Sequence, residues 1–328
     1  MKDSYSYKTI IGVLAGLFTA VIGMAIINVS NIIPYCSLFL GCFISLPIFI
    51  AAFRYGTLPS LIALISATFV LSITNNIYIG FSFMLLFFLP AVYASWLLGF
   101  AQPVQTIQEE NSLMWYPLPP IIFLLTNFIA CISTFIGIYI QNHPSSPIIA
   151  KQITENIVQT MRQSQSINET NILSFTELVM THTATLTAVI LTVYSLLFFI
   201  ANLYFSMMIA RHINCLKRPR DDWKQNFRLP IWGLIIFIFA FIAAMIETNS
   251  ILNLGANVFI TAYTFIISIT GLAYLHNITK EISGRTIILS FVYIAILTVI
   301  FTVPISFMLL LMGIWATIQY NSQSHKSH

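Results

Sequence analysis

Apolar residues in this chain come in runs of about twenty, separated by short polar punctuation. The runs cover about 9–28, 35–53, 57–75, 79–100, 118–140, 175–210, 230–246, 256–278 and 286–320. A helix needs about 20 apolar residues to cross a hydrocarbon layer about 30 Å thick. In lipid the backbone must satisfy its own hydrogen bonds, so only helices or closed barrels span it. Barrel strands would show ten-residue segments of alternating polarity. These runs are instead continuous and rich in Ile, Leu and Phe, and they predict an all-α, polytopic transmembrane helical bundle.

Three runs carry finer signals. Lys2 and Lys8 precede the first like the basic start of a signal peptide, but the apolar part is too long and no A-x-A site follows before Pro34, so an uncleaved helix is expected. The sixth run opens near Phe175, where Ser174 and Glu177 have capping-box spacing. At roughly 35 residues it should protrude from a bilayer. The last run, 286–320, is too long for one upright crossing and holds Pro304, which removes a backbone donor. A kink at Pro304 gives nine spans and a split there gives ten. The lack of Gly, Asn or Asp near Pro304 favours the kink, and Lys326 in the tail favours a return.

Two polar loops stand out. Segment 141–174 repeats Ile149, Ile153, Ile157 and Met161 at every fourth position, which makes one helical face apolar. A helix on the membrane surface and a lid over a cavity both fit that pattern. Asn168-Glu169-Thr170 matches the glycosylation sequon. Segment 211–229 holds six of the fourteen Lys and Arg residues, with Trp223 and Phe227 among them. It reads as a topology anchor beside anionic headgroups or as a docking surface for a partner. It is too short and too close to lipid for nucleic acid.

Charge placement orients the chain. With a cytoplasmic N-terminus, Lys2, Lys8, Arg54, Arg211, Lys217, Arg218, Arg220, Lys224, Arg228, Lys280 and Arg285 all fall inside, against Lys151 and Arg162 outside. That asymmetry follows the positive-inside rule and places 141–174 on the extracytoplasmic side, in a multi-pass protein of the inner (plasma) membrane. Composition agrees, with 58% hydrophobic residues, 7% charged residues and a mean hydropathy of +0.88. Residues 1–328 form a single integral membrane domain. Cys36, Cys42, Cys131 and Cys215 are scattered without a CxxC pair, and the three that lie in apolar runs read as small hydrophobes.

Few residues suggest chemistry. Glu247, near the outer end of the seventh span, is followed by Asn249, Asn253 and Asn257. Ionisable groups at membrane depth are costly and mark candidate sites, so Glu247 and Asn249 are candidates for an ion or polar ligand. Asn127 and Asn202 lie deeper, as ligand-binding candidates or as bridges between helices. His182 and His276 read as interfacial. Gly12, Gly16 and Ala20 repeat every four residues on one face of the first span, which lets a neighbouring helix of this chain or of a partner approach closely. Segments 46–56 and 89–99 both read Leu-Pro at the start and Gly at the end, and suggest a parallel internal repeat. No HExxH, G-x-S-x-G or paired acidic metal motif is present. The expectation is a protein that is not an enzyme, with no metal and no cofactor.

Several of these patterns resemble the YybS-like family of uncharacterised bacterial inner-membrane proteins. They are Leu46-Pro47-Ile48-Phe49 with Arg54-Tyr55-Gly56, Trp115-Tyr116-Pro117, Phe227-Arg228-Leu229-Pro230-Ile231-Trp232, Gly271-Leu272-Ala273 with Leu275-His276, and Leu311-Met312-Gly313-Ile314-Trp315. The chain departs from the family pattern at 316–320, which stays apolar. The resemblance implies a distant likeness to the substrate-binding components of energy-coupling-factor transporters. By that likeness, the first six spans would bind ligand and the Gly12 stripe would dock a membrane coupling subunit. The favoured expectation is a transporter-like solute-binding membrane component with an unidentified small-molecule ligand. It lacks G-x-x-x-x-G-K-[ST] and so an ATPase of its own. The alternative is a non-catalytic membrane scaffold or assembly protein that holds other membrane proteins in the lipid bilayer.

Overall fold

A computed structural model describes residues 5–30, 34–106, 109–144, 147–148, 151, 154–155, 169–216, 218–219, 221–246 and 251–324. Its helices are α1 (Tyr5–Ser30), α2 (Pro34–Gly41), α3 (Leu46–Tyr55), α4 (Thr57–Thr74), α5 (Ile77–Phe83), α6 (Leu89–Leu98), α7 (Leu118–Asn142), α8 (Glu169–His212), α9 (Trp223–Asn226), α10 (Ile231–Ile246), α11 (Ile251–Ile278), α12 (Arg285–Leu297) and α13 (Val299–Ser324). A π-helical turn, Met84–Phe88, joins α5 to α6. Among the described residues, eight helical stretches are long and apolar enough to cross a membrane, with α10 and α12 as shorter apolar helices. The chain is a multi-pass helical membrane protein.

The apolar runs become helices as expected, apart from interruptions within the second and fourth runs, described below, and three further differences. The last run breaks at Thr298, whose extended backbone (φ −92°, ψ 125°) ends α12, rather than at Pro304, which sits inside α13. Pro304 is the sixth residue of the new helix, past its first turn, so it still withholds one amide from the Ile300 carbonyl. The helix of the sixth run begins at Glu169, so Ser174 and Glu177 lie within it rather than at its start; its irregularity is at His182 (φ −110°, ψ 16°). The third difference is a short antiparallel hairpin, β1 (Ala101–Thr106) and β2 (Glu109–Trp115), pairing Ala101 with Trp115 and bulged at Val104/Gln105. Its polar sequence and internal Pro103 conceal any strand pattern. The amphipathic face expected in 141–174 falls mostly outside the described residues.

The N-terminal part is held by close helix contact. Gly12 lies on the Pro59 carbonyl and Ile62, and Gly16 lies on Ser66 and Ala63, all in α4, so a Cβ at either position would collide. Ala20 is wholly buried. Packing against α4 of the same chain therefore occupies the small-residue stripe. The two segments of the suspected repeat also share a structure. α3 and α6 are each ten residues, each with proline in the first turn, and each follows an interruption: a turn at 42–45 before α3 and the π-turn before α6. Proline suits a helix start because its missing N–H has no partner there. Gly56, at φ +94°, ends α3 and lets α4 begin at once, a conformation that glycine alone adopts cheaply.

A broken helix inside a membrane exposes backbone groups, and one side chain meets them here. Asn202 of α8 is wholly buried. Its Nδ2 donates to the Gly41 carbonyl at 2.9 Å and to the Phe198 carbonyl at 2.7 Å. Its Oδ1 accepts from the Ser45 N–H at 2.9 Å. The Ser45 hydroxyl then donates to the Phe87 carbonyl in the π-turn at 3.0 Å. One amide thus closes the gap between α2 and α3, and Ser45 carries the link to the second interruption. Gly41 permits this because a Cβ there would collide with the Phe198 ring.

The C-terminal part repeats the use of glycine. Gly271 of α11 sits on the Leu309 carbonyl and Gly313 of α13 on the Ile267 carbonyl, so the two backbones touch. Between the halves, α7, α8 and α11 pack together, with Gly137 against Ala188 and Leu254. The core includes Tyr263, Phe49, Phe88 and Ile121, all wholly buried. Asn321 near the end of α13 donates to the Leu229 carbonyl and accepts from the Ile231 N–H, each at 3.1 Å. Lys8, Arg54, Gly56, Gly99, Trp115 and Arg218 meet around a cavity of about 360 Å³. The start of α1 and the end of α13 therefore lie at one end of the bundle, together with the described part of the basic 211–229 loop; this is called the basic end below.

Replacing Asn202 with Leu removes three hydrogen bonds and strands the Ser45 N–H, while the Gly41 carbonyl keeps only a longer bond from the Ile44 N–H at 3.3 Å. We expect a loss of about 2–4 kcal/mol in reversible unfolding in detergent or bicelles. Thr126→Val removes a bond only to the Ile122 carbonyl of its own helix and should cost less than about 1 kcal/mol. Equal losses for the two variants would show that the Asn202 clamp is not special.

Candidate functional site

A cleft of about 1230 Å³ opens at the basic end between α8, α11, α12 and the loop around α9. It is larger than the roughly 300–1,000 Å³ typical of sites for drug-sized ligands. α8 supplies Ile200, Tyr204, Met207, Met208, Arg211 and His212, while α11 supplies Ile269, Leu272, Ala273 and His276. Asp221, Asp222, Trp223, Lys224 and Phe227 come from the loop around α9, and Tyr293 of α12 completes the lining. These positions follow helical spacing: Ile200, Tyr204, Met207/Met208 and Arg211 recur every three or four residues, as do Ile269, Leu272/Ala273 and His276.

Two local structures hold the cleft open. The His276 Nε2 and the Tyr293 hydroxyl are 2.8 Å apart, which fixes α12 against the end of α11. α12 otherwise packs mainly on α13 and not on α8, which leaves the gap. On the loop side, the Trp223 ring meets Tyr204 edge-on at 5.4 Å and stacks on Phe227 at 5.7 Å. The Asp222 carboxylate caps α9 by accepting the Lys224 N–H at 3.0 Å.

The loop itself is anchored by Arg218, which is 5% exposed. Its Nε and Nη2 donate to both Asp221 carboxylate oxygens at 2.7 and 2.9 Å, and its Nη1 donates to the Tyr116 carbonyl at 2.7 Å. This planar two-pronged pairing is the strong form of an Arg–carboxylate contact, and it ties the loop to the foot of the β-hairpin. Arg228 is also buried, over the Tyr274 ring at 5.6 Å. Burial lowers its guanidinium pKa from the ordinary value, and Tyr274 partly opposes this. Burial also raises the Cys215 thiol, against a smaller lowering by the Arg54 charge.

The residues singled out from sequence are dispersed. Asn202 serves the broken helix, with both amide protons and its oxygen engaged. Asn127 donates to the Phe123 carbonyl one turn back and lies against the wholly buried Tyr263 hydroxyl without closing a hydrogen bond to it. Glu247 and Asn249 lie outside the described residues. Asn257 bonds to Asn253 within α11. Among the described residues no cluster of His, Cys, Asp and Glu could hold a metal ion. The cleft gathers other groups: His276 and Trp223, read from sequence as interfacial or loop residues, Arg211 and Lys224, read as topology-setting cations, and Tyr204 and Tyr293, which no pattern marked. The only sequence signal for them is aromatic residues mixed into a basic loop; their convergence depends on how three distant helices pack.

Arg218→Ala should loosen the loop and cost about 3 kcal/mol, since it leaves the largely buried Asp221 carboxylate unpaired. Limited proteolysis between 213 and 230 should quicken in parallel. Arg218→Leu combined with Asp221→Leu should recover much of the stability, and failure to recover any would mean that the Tyr116 bond is the main anchor. No protein-family model matches the chain, and no curated protein or solved structure matches it.

Proposed function

We propose that this protein is a solute-binding membrane component, transporter-like in kind and without a motor of its own. The cleft between α8, α11 and α12 carries the reading. It is large, it combines an apolar floor with charged and aromatic groups at one end, and its shape is held by the Arg218–Asp221 and His276–Tyr293 contacts. A bundle whose task is only to hold neighbours has no need of a braced open cleft of this size.

The resemblance to the YybS-like family, and through it to the binding components of energy-coupling-factor transporters, supports the same class. In this reading ATP-derived energy comes from a separate membrane coupling subunit. Since α4 covers the Gly12 stripe, that subunit docks elsewhere on the lipid-facing surface. In this reading the basic end faces the cytoplasm, which the distribution of Lys and Arg supports, and the protein resides in the inner membrane.

Leu272→Trp places an indole on the cleft floor. Protein purified from its native membrane in mild detergent should carry a small molecule visible by native mass spectrometry, and this variant should carry at least about tenfold less at unchanged melting temperature. Purification of the unaltered protein with no bound molecule, alongside other membrane proteins, would overturn the binding reading in favour of a scaffold.

A further inference from the structure

The lining of the cleft is graded, and the grading points to one kind of ligand. Along α8 it passes from Ile200 through Tyr204 and Met207 to Arg211. Along α11 it passes from Ile269 through Leu272 to His276. Both helices thus run from apolar to polar toward the basic end. On α8 the gradient extends over about 17 Å, at 1.5 Å per residue. A water-soluble solute has no use for a long apolar wall joined to a polar mouth, whereas an amphiphile standing along the bilayer normal fits both parts.

Charge fixes the sign of the polar part. The Asp221 carboxylate is taken by Arg218; Asp222 accepts the Lys224 N–H and keeps its negative charge, so the two cations Arg211 and Lys224 outweigh one anion at the mouth. Among the described residues the ion pairs are Lys151–Glu155 and Arg218–Asp221, so the side chains of Arg211 and Lys224 carry unpaired positive charge at the mouth. Arg285 and Lys224 also act electrostatically on the His276 ring. Basic pockets between transmembrane helices at the cytoplasmic face are where anionic headgroups bind.

The route of entry agrees. Tyr204, Met208 and Tyr293 are 47%, 50% and 44% exposed at the sides of the cleft. The surface beyond them is apolar, with Leu197 on α8 and Phe291 and Ile294 on α12 exposed. The gap between α8 and α12 therefore faces lipid sideways, and its tyrosines stand at the level where aromatic side chains line a membrane interface.

Building on the solute-binding reading above, we infer that the ligand of this cleft is an anionic phospholipid taken laterally from the bilayer. Its acyl chain lies along Ile200, Ile269 and Leu272, and its phosphate lies between Arg211 and Lys224. Recognition is by charge and by the apolar slot together, so neither a zwitterionic lipid nor a free phosphate satisfies it.

The test is lipid titration of the delipidated full-length protein in neutral detergent, followed by native mass spectrometry. The probes are phosphatidylglycerol, phosphatidylcholine of the same acyl chains, and glycerol 3-phosphate. Phosphatidylglycerol should bind about tenfold or more tightly than phosphatidylcholine, and glycerol 3-phosphate should not bind measurably. Arg211→Gln with Lys224→Gln should remove that preference without lowering the melting temperature, since both side chains are unpaired. Lys280→Gln, an exposed cation at the same end, should leave it intact. Leu272→Trp should weaken both lipids. Equal binding of the two lipids, or a preference untouched by the Arg211/Lys224 pair, would overturn the inference. If a water-soluble molecule then proves to be the occupant displaced by Leu272→Trp, the solute-binding reading stands while the lipid assignment fails. If nothing is displaced, both fail.

Discussion

The Asn202 amide, at the junction of α2, α3 and α8, is the contact on which the N-terminal architecture rests. Lipid offers no water to a severed helix, so an unpaired amide or carbonyl there costs several kcal/mol. Tight-turn bonds satisfy most of the interruption between α2 and α3, and a side chain from 157 residues away completes it by giving Ser45 an acceptor and Gly41 a second donor. Through the Ser45 hydroxyl the same node reaches the π-turn ahead of α6. The interruptions preceding the two repeated half-helices are thus satisfied together, which explains why α3 and α6 pack side by side and end beside one cavity at the basic end.

Elsewhere cohesion comes from close backbone approach. Among apolar helices in lipid the hydrophobic effect gives little preference for one partner over another, so dispersion and shape must choose. Gly12 and Gly16 choose α4; Gly271 and Gly313 choose each other's helices. The α11–α13 crossing leaves α12 as an outlying helix tied back by His276 and Tyr293, and that outward position is what creates the cleft. The site is therefore a consequence of packing: where α12 is held away from α8, space remains, and the loop braced by Arg218 closes its end.

Much of the fold was legible in the sequence because the hydrophobic period and run length are local properties. The expected helices are present, and the Leu-Pro starts and Gly ends of 46–56 and 89–99 become two half-helices of the same form. The candidate site was far less legible. Asn202 stood out as polar at membrane depth, yet its hydrogen bonds are spent on backbone. Arg211 and Lys224 were indistinguishable from other topology-setting cations, because what separates them from Arg218 is whether a carboxylate is already in place, a matter of side-chain geometry. Position 298 gave no warning of a break, since threonine ends a helix only when its surroundings favour the extended form.

Sequence alone determined the solvent, the helical class and the gathering of positive charge at alternate loops. Each follows from composition and spacing along a chain whose backbone must bond internally in lipid. Tertiary structure decided which polar groups are satisfied and which remain free. It also decided which glycines bring helices together, and it set the space between α8 and α12. Those outcomes depend on contacts between residues far apart in the chain, and such contacts leave no periodic trace within any one segment.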